Sequence, residues 1–211
     1  MAFPIQQVVE SDIPELVKIH SDAFKTDQFS NFMLSGKPPG THESLMERSL
    51  NAWFSDPTVW MVKAVDEDGS IVGWACWLTK IVDVDNTERQ QPSKPAASQE
   101  GAPADTPARV VGRQMRNDSV KWERDSMTEN KYLVLQALAT SPEYQGRGVA
   151  SQLVKWGVDR ADDGNLTCWC HASPAGNQLY RKAGFQELGN SEYDLGEFGK
   201  YTFRYMRRLV L

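Results

Sequence analysis

The stretch Leu138-Ala139-Thr140-Ser141-Pro142-Glu143-Tyr144-Gln145-Gly146-Arg147-Gly148-Val149-Ala150-Ser151 constrains this chain more than any other. The apolar run from Lys131 to Ala139 reads as a buried strand, Pro142 turns the chain, two glycines follow, and Gly148 to Arg160 reads as a helix. The first turn of a helix carries unpaired N–H groups and the positive end of the helix dipole, so a strand that runs through glycines into a helix start makes an anion site without any special side chain. A side chain at Gly146 or Gly148 could keep a phosphate from the backbone. Ala150 and Ser151 are small, and Arg147 adds charge at the rim.

Three anion loops compete for this stretch. A Walker loop needs Lys-Ser/Thr after its last glycine, and none follows here. The dinucleotide fingerprint needs three glycines and an acidic residue at the end of the next strand. Gly146, Gly148 and Ser151 supply two of the three, and the next strand ends at Cys170-His171. The third pattern, Gln/Arg-x-x-Gly-x-Gly/Ala, is matched in full by Gln145, Gly148 and Ala150. Downstream lies a second segment, Leu179-Tyr180-Arg181-Lys182-Ala183-Gly184-Phe185. With these two motifs in this order, the chain resembles the GCN5-related N-acetyltransferase (GNAT) superfamily.

The resemblance implies acetyl-CoA as cofactor, with its pyrophosphate on Gln145, Gly146, Arg147, Gly148, Val149, Ala150 and Ser151, and its pantetheine arm along Leu138, Ala139 and Thr140. A bulge splaying that strand from the next, Leu166 to His171, is expected, with a backbone N–H near Leu138 meeting the thioester carbonyl. Tyr180 matches the tyrosine that protonates the departing thiolate, and a phenol is protonated at neutral pH. If Gly184 lies just past the helix end, Phe185 should pack on Tyr180 one turn back, which also admits a purely packing role for Tyr180. Ser173, where many relatives carry Asn, and Asn177 one turn later are further cofactor contacts on the same grounds. The implied activity is transfer of acetyl to a small-molecule or peptide amine by direct attack; the alternative is an acyl-CoA-binding sensor without turnover. No carboxylate or histidine lies in Lys131 to Ala139, so a general base is sought elsewhere, with Glu129, His171 and His20 among the candidates and a water chain as the alternative.

Elsewhere the pattern is α/β. Ile5 to Glu10 reads as a strand, and Asp12, Pro14 and Glu15 open a helix whose apolar stripe includes His20. Thr41 to Phe54 is a second helix. Thr58 to Val65 and Ser70 to Leu78 are strands about the turn Asp66-Glu67-Asp68-Gly69, read as a solvated turn. Pro174 to Ala183, Phe185 to Leu188 and Tyr201 to Arg207 read as helix, strand and strand. The order β-α-α-β-β-β-α-β-α-β-β predicts one mixed, mostly antiparallel sheet flanked by helices, with the cofactor cleft between the fourth and fifth strands. The chain of 211 residues is expected to form one domain, 1–211, with a low-complexity, mobile insertion at about 83–118, where Gln, Pro, Ser and Ala crowd and apolar residues are scarce. A helix over Val120 to Thr128 is expected after it.

A net charge of −5 without clustered Lys and Arg predicts no nucleic-acid partner. The three cysteines, Cys76, Cys168 and Cys170, do not suggest a disulfide framework. Cys168 and Cys170 share a strand face, His171 points to the other, and no metal is expected. Met1 to Glu10 does not read as a signal peptide, and no run approaches the ~18 apolar residues of a membrane span, so a cytoplasmic monomer or homodimer with no membrane partner is expected. The acceptor amine is to be selected by the Phe24 to Gly40 region, the Thr41 to Phe54 helix and the hairpin before Tyr201. Trp53, Trp60, Trp74 and Trp77 read as core, with an aromatic acceptor pocket as the alternative.

Overall fold

Side chains alternate along a strand, and the long strand Ile71–Ile81 (β3) therefore splits its aromatic residues between two layers. Trp74 and Cys76 face one side, Ala75 and Trp77 the other, and all four are fully buried. The computed structural model describes residues 2–82 and 105–210. Around β3 it arranges β1 (Ile5–Gln7), β2 (Val59–Val65), β4 (Lys131–Thr140), β5 (Thr167–Ala172), β6 (Gln186–Asp194) and β7 (Lys200–Arg208) in one sheet of order β1-β2-β3-β4-β5-β7-β6. Every neighbouring pair is antiparallel except β4 and β5, which run parallel.

Helices α1 (Ile13–Ala23) and α3 (Thr41–Phe54) cover the face carrying Trp74, with Leu16, Val17 and Leu50 packed on Met61 and Ala139. On the opposite face, α5 (Val149–Asp163) lays Leu153, Val154 and Val158 on Ala75, Trp77, Leu133, Leu135, Cys168 and Cys170. Two glycines allow this approach. A Cβ on Gly157 would lie 2.0 Å from the Trp77 indole, and one on Gly73 would meet Val149 Cγ1 at 2.8 Å and Ala139 O at 2.9 Å. The short helix α6 (Asn177–Lys182) follows β5.

The structure departs from the sequence reading in the middle of the chain. A 20-residue helix, α4, spans Pro107–Ser126, beginning well before Val120 and taking up the end of the tract expected to be mobile. Residues 83–104 of that tract lie outside the described residues. Ala108, Val111, Met115 and Trp122 are sparse, but their spacing puts them on one helical face. They seal a separate cluster with Phe32, Tyr193, Tyr201 and Phe203, while Trp122 stacks on Tyr205. A low apolar fraction was thus enough for a helix that borrows its core from the β6–β7 hairpin. A further helix, α2 (Gln28–Leu34), capped by Asp27 accepting from Ser30 N, also went unanticipated. Asp12 is not the side-chain cap of α1. It accepts the Val9 N–H at 2.8 Å and an ion pair from Lys63 at 2.6 Å.

Candidate functional site

β4 and β5 are joined only at Tyr132↔Thr167, Leu133↔Cys168 and Val134↔Trp169. Beyond these pairs β4 stays with β3, and β5 with β7, so the sheet opens in its centre. At the opening β4 is bulged: Cys76 pairs with Ala137 and Trp77 with Leu135, which leaves Gln136 as the extra residue. Gln136 is exposed although its strand is central. The bulge and the splay stand where the sequence reading expected them.

At the end of β4 the chain enters a 3₁₀ turn at Pro142–Tyr144 and then the glycines. Gly146 has φ +74° and Gly148 φ +90°, a left-handed backbone that an L side chain adopts at a cost of roughly 1–2 kcal/mol. A Cβ at Gly146 would meet nothing within 4 Å, and one at Gly148 only Gln152 Nε2 at 3.9 Å. Backbone conformation and open space in front of the turn, rather than crowding, account for both glycines. The result is a row of donors: the amides of Gly146, Gly148, Val149, Ala150 and Ser151 have no acceptor among the described residues. The first helical bond begins at Gln152 N, which donates to Gly148 O at 3.1 Å. Five unpaired backbone N–H groups are thus gathered at and just before the positive end of a 15-residue helix, an arrangement suited to an anion.

Side chains brace this turn. The Gln145 carboxamide donates to Thr140 O at 3.3 Å, closing the turn back on β4. Thr140 is itself buried, with Oγ1 lacking a partner among the described residues. The Arg147 guanidinium stands 5.1 Å from the Tyr144 ring centre, and the Tyr144 hydroxyl donates to Asp66 Oδ2 at 2.7 Å. Asp66 also accepts from the amides of Asp68 and Ser70, and these hydrogen bonds, led by the one from Tyr144, hold its carboxyl below the usual range. The acidic β2–β3 turn is therefore a strut for the 141–151 segment, which the reading as a merely solvated turn missed. Gly73, under Val149, is a second support. An isolated glycine inside an apolar strand was the available signal for it.

Tyr180 lies on the α5 side in the same buried cluster as Val149, Cys170 and Phe185, with Leu138 at its margin. Its helix ends in a Schellman cap. Gly184, at φ +89°, donates to Arg181 O at 3.1 Å, Phe185 N donates to Tyr180 O at 3.0 Å, and the two rings sit 5.9 Å apart. The Tyr180 hydroxyl has no hydrogen-bond partner among the described residues. Burial, and then the Cys170 thiol, push its pKa up, so it carries its proton throughout the neutral range. Ser173 Oγ accepts the Gly176 amide at 3.2 Å, and α6 proper starts at Asn177, three residues later than expected. Asn177 Oδ1 accepts from Arg181 Nε at 3.2 Å.

The cysteines are poor nucleophiles here. Burial pushes the Cys76 and Cys168 thiols up to about 12 and Cys170 well above its ordinary value. The basic candidates fall in three different places. Glu129 accepts from Thr167 Oγ1 at 2.7 Å, at the closed end of the β4–β5 pair. Burial raises its pKa, but hydrogen bonds from Thr167 and Thr128 bring the net shift downward. His20 stacks on Phe24 and approaches His42, Nδ1 to Nε2, at 2.9 Å; burial and His42 lower it to about 3. His171 lies on β5 past the last β4 pair, half-buried, and burial lowers its pKa also. Of the tryptophans, Trp74 and Trp77 are core, Trp53 packs beside α1, and Trp60 is 41 % exposed against Arg160.

Comparison with known proteins bears on this arrangement. The model of the acetyltransferase (GNAT) family matches residues 26–185. Among solved structures, arylalkylamine N-acetyltransferase 2 from Aedes aegypti superposes with a TM-score of 0.71 at 14 % identity, over 100 % of both chains. A histone acetyltransferase HPA2 and related acetyltransferase from Corynebacterium glutamicum gives 0.66 at 22 % identity, over 100 % of this chain and 98 % of that one. A phosphinothricin acetyltransferase from Sinorhizobium meliloti, solved with AcCoA, gives 0.60 at 16 %, over 100 % and 89 %. At these identities the likeness is one of fold. No curated protein sequence matches the chain.

Proposed function

Because this chain belongs to the acetyltransferase (GNAT) family, we propose that it transfers an acetyl group from acetyl-CoA to a primary amine by direct attack within a ternary complex. The observation that carries the reading is the row of five unpaired amides at Gly146, Gly148, Val149, Ala150 and Ser151, set where β4 has parted from β5. Such a row fits a diphosphate, the most concentrated charge on the cofactor, and Arg147 and Gln145 flank it.

When bound, the cofactor supplies an acetyl thioester, a carbonyl that an unprotonated amine can attack. Leu138, Ala139 and Thr140 would hold the cofactor arm along the edge of β4 that β5 leaves free, and an amide near Leu138 would be the donor to the thioester carbonyl. Ser173 and Asn177, before and at the start of α6, would border the arm. Tyr180, protonated at its hydroxyl, would be the proton donor to the departing sulfur. The buried thiols, with their raised pKa values, take no part, which supports direct transfer over an acyl-enzyme route.

The acceptor enters from the α1 and α2 side of the splay. An acceptor screen reading released thiol from acetyl-CoA tests the proposal, with polyamines, arylalkylamines, amino acids, aminoglycosides and peptides as acceptors. Thiol release that depends on an amine is expected. Binding of CoA without release in any of these classes would replace the enzyme with an acyl-CoA sensor.

A further inference from the structure

The acetyl-transfer reading leaves one proton without a destination. An alkylamine is an ammonium ion at neutral pH and must lose a proton before its lone pair is free. β4, which borders the opening, offers no carboxylate or imidazole there, only the Gln136 carboxamide and the Thr140 hydroxyl.

The opposite lip of the opening offers an imidazole. The last β4–β5 pair is Val134↔Trp169, and His171 lies two residues further along β5. By alternation His171 shares a face with Trp169, while Cys168, Cys170 and Ala172 point into the α5 layer. His171 therefore projects on the side of the sheet away from α5 and the glycine turn, the side left to the acceptor. Its ring is held edge-on by Phe203 of β7, with centroids 5.5 Å apart, and by Ser119 of α4, whose Oγ stands 3.5 Å from Nδ1. Nε2 has no hydrogen-bond partner among the described residues. Burial favours the neutral ring over the charged one, opposed by Glu123 of α4, whose carboxylate is already engaged by Lys80 and by the Tyr132 hydroxyl. Tyr205 is its cross-strand neighbour on β7.

The other bases are less suited. Glu129 sits where β4 and β5 are still bonded to each other. His20 has a ring nitrogen engaged by His42 and lies over Trp74 of β3, one strand removed from the splay.

We infer that His171 is the group that takes the proton from the acceptor ammonium, through Nε2. The inference rests on the acetyl-transfer reading above. One N–H bond of the ammonium breaks and its proton goes to Nε2. The freed lone pair forms the C–N bond, and the C–S bond breaks with its pair on sulfur. The sulfur ends as a thiol through Tyr180, which regains a proton from the nitrogen by way of solvent.

Two acceptors with the full-length protein separate this role from a structural one. An alkylamine needs deprotonation at neutral pH, whereas hydroxylamine is largely unprotonated there. His171→Gln is expected to lower kcat/KM for the alkylamine about 10²-fold, the usual size of a general-base contribution. With hydroxylamine the loss should stay within a few-fold, and thermal stabilisation by CoA should be unchanged. Equal loss with both acceptors, or no loss with either, overturns the inference. So does an acceptor-selective loss in His20→Gln that is missing in His171→Gln. Should His171→Gln not fold, His171→Asn is read the same way, and added imidazole should restore alkylamine turnover to His171→Ala. A wild-type protein that releases no thiol with any amine refutes the underlying acetyl-transfer reading, and this is seen before any variant is compared.

Discussion

The Tyr144 hydroxyl donates a 2.7 Å hydrogen bond to Asp66, joining the β2–β3 turn to the segment that carries the free amides. Seventy-eight residues separate the two in sequence. Tyr144→Phe removes the strut and leaves the ring under Arg147. CoA affinity is expected to fall several-fold in a calorimetric titration while turnover at saturation changes little. Asp66→Asn should weaken the strut as well, since Oδ1 serves the Asp68 and Ser70 amides and Oδ2 the Tyr144 hydroxyl, and an amide offers only one accepting oxygen.

Gly148→Ala asks a side chain to adopt φ +90° at the N-cap of α5. The strain is about 1–2 kcal/mol, and relief would rotate the amides of Val149 and Ala150. Thermal unfolding should shift down by only a few degrees, whereas CoA affinity should drop at least tenfold. Gly69→Ala, at φ +82° in the β2–β3 turn, is the control with similar strain, and its CoA affinity should fall far less.

Gly157 is the contact point of α5 on the sheet. Its added Cβ would reach 2.0 Å from Trp77, an indole that is fully buried and has no room to retreat. Gly157→Ala should destabilise the fold by about 2–3 kcal/mol through overpacking, despite the better helix propensity of alanine. Urea unfolding with an unchanged slope would register it.

Tyr180→Phe keeps the ring that packs on Phe185 and deletes the buried hydroxyl. Turnover with a good acceptor should fall 10²-fold or more, with CoA affinity within a few-fold of wild type, because general-acid contributions are commonly about 10²–10⁴-fold. Equal loss of turnover and affinity would assign Tyr180 to packing.

His20 predicts an acid limb in stability. Its folded pKa of about 3 lies below the ordinary value of 6.5, because burial and then His42 disfavour the charged ring. Between those values the unfolded chain binds the proton and the folded chain does not. The contribution is complete above pH 6.5 and is lost as the pH falls towards 3, with a slope approaching about 1.4 kcal/mol per pH unit. His171 adds a loss of the same sign. His20→Gln should flatten part of this limb in urea titrations between pH 6 and 4.

The part of this protein decided within a few residues could be read from the chain itself. Two glycines between Pro142 and Val149 dictate a left-handed turn and a helix start, and the freed amides follow from helix geometry. Tyr180, Gly184 and Phe185 likewise specify a cap whose hydrogen bonds all close within six residues. Strand alternation and helical spacing identified most elements for the same reason. What the order of residues left open is contact between distant surfaces. The sparse apolar face of α4 became a helix because the β6–β7 hairpin presents Tyr193, Phe203 and Tyr205 to it. The Asp66 turn acquired its purpose only when Tyr144 was folded over it, and His171 acquired an open ring nitrogen only because β4 leaves β5 after Val134. Local backbone geometry is settled by steric and hydrogen-bonding rules among neighbours. Which faces meet depends on the packing of the whole sheet, and that is decided in three dimensions.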